Sequence, residues 1–178
     1  MTDSPLPKPE DVTVLVVDDE LDVARYLSSI LDDAGMTVHV AHDGEQALQV
    51  MKEHTPNLIS LDLVMPRKSG IRFLSELRRN REWSRIPVII VTAHARDADV
   101  RDGLDSVLAD STMVGPSLYL EKPVTPHSYL RSVCQVLGVE MPEQDGSDAL
   151  RDEAMDLLGD ADSETLANIL GQLRKSHG

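Results

Sequence analysis

The chain has a single cysteine, Cys134, together with one tryptophan, one phenylalanine and three tyrosines in 178 residues. A lone thiol excludes an internal disulfide framework and fits a reducing compartment. Basic charge is scarce too: 17 Lys and Arg stand against 31 Asp and Glu, for a formal net charge of -14. Binding to a phosphate backbone begins with clustered Lys and Arg, so this balance argues against nucleic acid as the main partner. No apolar run approaches the roughly 20 residues of a membrane-spanning helix. The opening MTDSPLPKPED sets prolines where a signal peptide needs an apolar core. A cytoplasmic protein without membrane insertion is expected.

What is present is a regular alternation. Short apolar runs, VTVLVV (12–17), MTVHVA (36–41), LISL (58–61), PVIIV (87–91) and SLYLE (117–121), are separated by amphipathic segments. Such alternation is the signature of βαβ units and a parallel sheet. Helices are expected over Leu21 to Ala34 (closed by Gly35), Gly44 to His54, after Gly70 with Ile71, Phe73, Leu74 and Leu77 on one face, Arg96 to Ala109, and Tyr129 to Leu137. Residues 1–10 read as a flexible lead-in, 11–138 as one α/β domain and 139–147 as a linker with Pro142 and a DGS turn. Residues 148–178 read as an acidic tail of two short helices. From 138 onward the chain carries ten acids and three bases (Arg151, Arg174 and Lys175), with no basic recognition helix. The tail's stripes of Leu150, Ala154, Leu157 and Leu158, and of Leu166, Ile169, Leu170 and Leu173, are too short for an independent core. They are expected to pack on the domain, a partner or a second copy.

Four of the five apolar runs end on a side chain useful to phosphoryl chemistry: Asp18 and Asp19, Asp62, Thr92, and Lys122 before Pro123. Singly, each has an ordinary reading. An acid pair between strand and helix caps the helix, Asp62 is a turn residue before Pro66, Thr92 is β-branched strand filler and Lys122 a solvated edge charge. Jointly they fall at the same end of their strands, the rim where open α/β sheets bind ligands. Clustered carboxylates need a neutralising cation, and hard oxygen donors without a histidine or thiol set suit Mg²⁺. A carboxylate can attack phosphorus to give an aspartyl-phosphate, while lysine and hydroxyl balance the phosphoryl oxygens.

In VLVVDDE (14–20), LDLVMPRKSG (61–70), VIIVTAHA (88–95) and YLEKPV (119–124) the chain resembles the response-regulator receiver domains of two-component signalling. The resemblance implies a doubly wound, flavodoxin-like five-stranded sheet of order 2-1-3-4-5. Asp62 would then be the phosphoacceptor, Asp18 and Asp19 the acidic pair for Mg²⁺, and Asp62 itself and the Val64 backbone carbonyl further ligands. Lys122, oriented by a cis-prone bond to Pro123, would pair with the phosphoryl group, and Thr92 and Tyr119 would be the switch pair. Val64 and His94 would flank the path of attacking water. Expected partners are a histidine kinase or phosphotransfer protein and a downstream protein target, with a homodimer through the tail or last helices possible. Two other readings compete: a phosphorylation-independent interaction module, and a Mg²⁺-dependent phosphohydrolase, for which Val64 stands where a general acid is wanted. One departure from the family is the long stretch before the fifth strand, LADSTMVGPS at 108–117, which affects the output surface. Cys134 and Trp83 read as core packing.

Overall fold

A computed structural model describes residues 7–94, 97–108 and 115–142. Five strands, β1 (Thr13–Val17), β2 (Thr37–Ala41), β3 (Leu58–Leu61), β4 (Val88–Thr92) and β5 (Leu118–Glu121), alternate with α1 (Leu21–Asp33), α2 (Gly44–Glu53), α3 (Gly70–Arg79), α4 (Ala98–Leu108) and α5 (Pro126–Leu137). All neighbouring strands pair parallel, in the order β2-β1-β3-β4-β5. The expected topology is therefore the observed one. Expected tail helices, and most of the stretch before β5, lie outside the described residues.

Alternation within the strands builds the two faces. Leu15, Val17, Ile59, Leu61 and Ile90 point toward α2, α3 and α4, where Met51, Phe73, Leu74, Leu77 and Leu104 cover them. Val14, Val16, Leu58, Ile89 and Val91 point to the other side, against Leu27 and Leu31 of α1 and Tyr129, Val133 and Cys134 of α5. Every residue of β3 and β4 is buried, as a parallel sheet covered on both faces requires. Trp83 packs against the first cluster and Cys134 sits within the second.

Helix ends follow local chemistry. Asp43 caps α2 by accepting from the Glu45 and Gln46 amides, and Ser69 caps α3. α5 starts three residues before the expected Tyr129, because Thr125 and Ser128 form a reciprocal capping box ahead of Pro126 at the first helical turn. It ends at Gly138, whose φ of 65° is the left-handed conformation glycine adopts freely. Beyond it, Val139 is still buried in the core and Met141 packs on its edge. At the amino end, Pro9–Asp11 form a short 3-10 turn before Val12 enters the core. Arg78, buried at the end of α3, donates to the carbonyls of Ser84, Ile86 and Gly115. Thus α3 is tied to the entries of both β4 and β5.

Candidate functional site

The sheet register brings the strand ends to one rim. Past β1, the Asp18 amide donates to the Ala41 carbonyl at 3.0 Å; past β3, the Asp62 amide donates to the Val17 carbonyl at 2.9 Å. Past β5, the Lys122 amide donates to the Thr92 carbonyl at 3.1 Å. These bonds prolong the parallel ladder by one residue. They hold two carboxylates and a lysine side by side.

Asp18 and Asp62 are 1% and 5% exposed. The Lys122 ammonium, itself mostly buried, lies 2.8 Å from Asp18 Oδ2, 3.0 Å from Asp62 Oδ2 and 3.1 Å from Glu20 Oε1. Burial alone would depress the ammonium, but its close pairing with the carboxylates of Asp18 and Asp62 outweighs that and raises its pKa. Burial raises the Asp18 pKa against the opposing pull of Lys122. Its Oδ2 touches the ammonium without hydrogen-bond alignment and is otherwise unbonded. The other oxygen of Asp18 accepts from the Glu20 amide at 3.0 Å, and its backbone carbonyl meets His42 Nδ1 at 3.0 Å.

Two buried carboxylates and an exposed third around one ammonium leave the cluster net negative. Oxygens of Asp18, Glu20 and Asp62 all lie within 4.8 Å of one another. Mg²⁺ takes oxygen ligands at about 2.1 Å, so small side-chain rotations would let this set close on one ion. The under-bonded Asp18 oxygen fits that use. Asp19 is half-buried and stands outside the grouped three. Glu20, which sequence reasoning passed over, takes its place there.

Val64, 42% exposed, donates its amide to Asp62 Oδ1 at 3.1 Å. Thr92 is buried, and its hydroxyl accepts from the His94 amide at 3.2 Å. The His94 ring turns outward and meets Asp97 at 2.7 Å. Tyr119 is 47% exposed; burial of its remainder and the nearby Asp105 charge raise its pKa. Between it and Thr92 lies a cavity of about 390 Å³ lined also by Leu63, Val100 and Leu104. The Lys122–Pro123 peptide is cis.

A doubly wound parallel sheet with carboxylates gathered around a lysine at its carboxyl rim is a flavodoxin-like module whose acidic oxygens suit a hard cation. The response regulator receiver domain model matches residues 14–133, and the chain belongs to that family. The transcriptional regulatory protein CpxR of Klebsiella pneumoniae subsp. pneumoniae (strain HS11286) is 36% identical over 124 residues, 70% of this chain and 48% of its own length. An uncharacterized 14.6 kDa protein of Leptolyngbya boryana is 34% identical over 122 residues, 68% of this chain and 87% of its own. The chemotaxis protein CheY4 of Vibrio cholerae superposes with a TM-score of 0.61 at 27% identity, over 71% of this chain and 98% of that one. The chain spans about half the length of its CpxR relatives. It carries the receiver domain of a two-component response regulator, a signalling protein, in a family that binds Mg²⁺ at an acidic site and contacts histidine kinases and downstream targets. Among the described residues no helix is long and apolar enough to cross a membrane.

Proposed function

We propose that Asp62 accepts a phosphoryl group from a histidine kinase or phosphotransfer protein in the cytoplasm, and that the modified domain regulates another protein by contact. The observation that carries this reading is the Lys122 ammonium held 2.8 Å from Asp18 and 3.0 Å from Asp62. A carboxylate oxygen of Asp62 forms the new P–O bond as the donor's P–N bond breaks, and the imidazole departs with that electron pair. Asp18, Asp62 and the Val64 carbonyl, with Asp19 as the neighbouring acid and Glu20 grouped beside the two aspartates, would hold Mg²⁺. When bound, the ion offsets the charge of the phosphoryl oxygens. Lys122, already between the two aspartates, pairs with another of those oxygens.

The switch is a matter of added charge. Thr92 hydroxyl is drawn toward the new oxygens, and the cavity beside it has room for more of the Tyr119 ring, now about half exposed at its edge. Val64 and His94 flank the approach of water to the phosphoryl group and set its lifetime. Residues 148–178 serve as a docking or homodimerisation element.

The test is incubation with acetyl phosphate and Mg²⁺ followed by intact mass spectrometry of wild type and Asp62→Asn. One labile phosphoryl group on wild type and none on the variant is the expected result. No label on either would identify a phosphorylation-independent interaction module, and sustained turnover of donor without labelling a phosphohydrolase.

A further inference from the structure

The loop from Asp62 to Gly70 carries Val64 and leads into α3, and it is fastened in an unusual way. Arg67, within it, has φ of 60°, the one non-glycine positive φ among the described residues. An L-residue with a Cβ is disfavoured there, and its side chain is held from outside the loop by Asp43. The Arg67 guanidinium grips Asp43 Oδ2 through two nitrogens, Nε at 2.9 Å and a second, shorter contact. Such a forked, charge-assisted pair fixes orientation as well as distance.

Asp43 is a rigid anchor. Its carboxylate is 2% exposed, and its other oxygen accepts from the Glu45 and Gln46 amides at 2.8 and 2.9 Å at the start of α2. Those amide bonds, with Gln46 foremost, and the guanidinium keep its pKa below the ordinary value. The Gly44 amide adds a bond to the Lys68 carbonyl at 3.2 Å, and the Gly70 amide one to Leu63 at 3.1 Å. The Lys68 ammonium reaches Glu76 of α3 at 2.7 Å. The loop is therefore tied to α2 at one side and α3 at the other. Its inner side meets Asp62 through the Val64 amide.

We propose that Arg67 is a positioning residue for the Mg²⁺ site: its ion pair with Asp43 holds the loop that bears Val64 in its metal-binding arrangement before any cation arrives. The inference rests on the reading of Asp62, Asp18 and the Val64 carbonyl as the centre of that site. Neither Arg67 nor Asp43 touches the reacting atoms. Their contribution is to keep the loop from having to order itself when the ion binds. A merely structural pair would instead support the fold and leave ion affinity alone.

Arg67→Gly separates the two. Glycine accepts the positive φ, so the variant loses the pair while its backbone is relieved, and it should fold. Asp43→Asn keeps an oxygen for the α2 amides but loses the charge. Mg²⁺ binding to the metal-free full chain is measured by calorimetric titration, and amide hydrogen exchange of Val64 and Gly70 is followed in the same metal-free samples. The expected result is a Kd about tenfold weaker in both variants, the low end of what losing a group that orients metal ligands costs, with faster exchange at the two amides. Unchanged affinity and exchange in Arg67→Gly, with only the melting temperature moved, would overturn the proposal. So would weakening in Asp43→Asn alone, which would trace to the helix cap. Wild-type protein that binds no Mg²⁺ and takes no label from acetyl phosphate would instead remove the underlying reading of the site.

Discussion

Replacing Lys122 by methionine removes the cation seated between Asp18 and Asp62 while keeping the apolar stem. The ammonium is 2.8 and 3.0 Å from the two carboxylates, and its side chain is only 11% exposed. Without it, two buried carboxylates with oxygens no more than 4.8 Å apart repel by about 3.5 kcal/mol at an effective dielectric constant of about 20. Breaking a buried pair by deleting one member costs about 3–5 kcal/mol, so a loss near the lower end is expected at neutral pH. Glu20, largely exposed, is left out of that figure. For a domain of this size the melting temperature would fall by about 10 °C. The pH dependence follows from the direction of the shifts. Asp18 already has a raised pKa, so the stability associated with its protonated form is present below its unfolded value and is lost as pH rises through the folded one. Lys122 opposes that rise, so its removal moves the loss to higher pH. The variant's deficit is then full near pH 7.5 and shrinks toward pH 4.5. Urea unfolding of wild type and Lys122→Met in EDTA at both pH values measures it. Added Mg²⁺ should restore the variant more than wild type, since the competing cation is gone. A deficit of the same size at both pH values, or one indifferent to Mg²⁺, would refute the view that the lysine balances the carboxylates.

Gly70→Ala would place a Cβ 2.0 Å from the Asp62 carbonyl oxygen and 2.8 Å from Leu63 Cα, both backbone atoms that cannot step aside. A destabilisation of about 3 kcal/mol is expected by urea unfolding, at the upper end for overpacking, and a change under about 0.5 kcal/mol would show that this close approach is not made. Tyr119 should become protected from nitration by tetranitromethane when Asp62 carries a phosphoryl group or beryllofluoride. A Tyr26→Phe background isolates the signal, since Tyr26 is 41% exposed and Tyr129 fully buried; equal nitration in both states would count against inward movement of the ring.

What the residues disclosed in advance, and what they withheld, divides along the range of the forces involved. Strand positions were legible because a strand buried on both faces must be almost wholly apolar, as β3 and β4 are but for Ser60 and Thr92. The rim location of Asp18, Asp62, Thr92 and Lys122 followed from topology alone. The choice among Asp18, Asp19 and Glu20 did not. Period-two alternation assigns faces only while the chain stays extended, and after Val17 it turns at once into α1 at Leu21. Three consecutive acids in that turn can each point differently, and it is Glu20 rather than Asp19 that joins the grouped oxygens. The start of α5 was misplaced for a similar reason: apolar periodicity marks the face of a helix, whereas Thr125 and Ser128 set its end through hydrogen bonds that hydrophobicity does not register. Arg67 was hidden more deeply. Nothing in PRKSG marks it, because its partner Asp43 lies 24 positions earlier. A side chain held by a distant carboxylate leaves no local signature, so a site's long-range supports become visible only when the chain is folded.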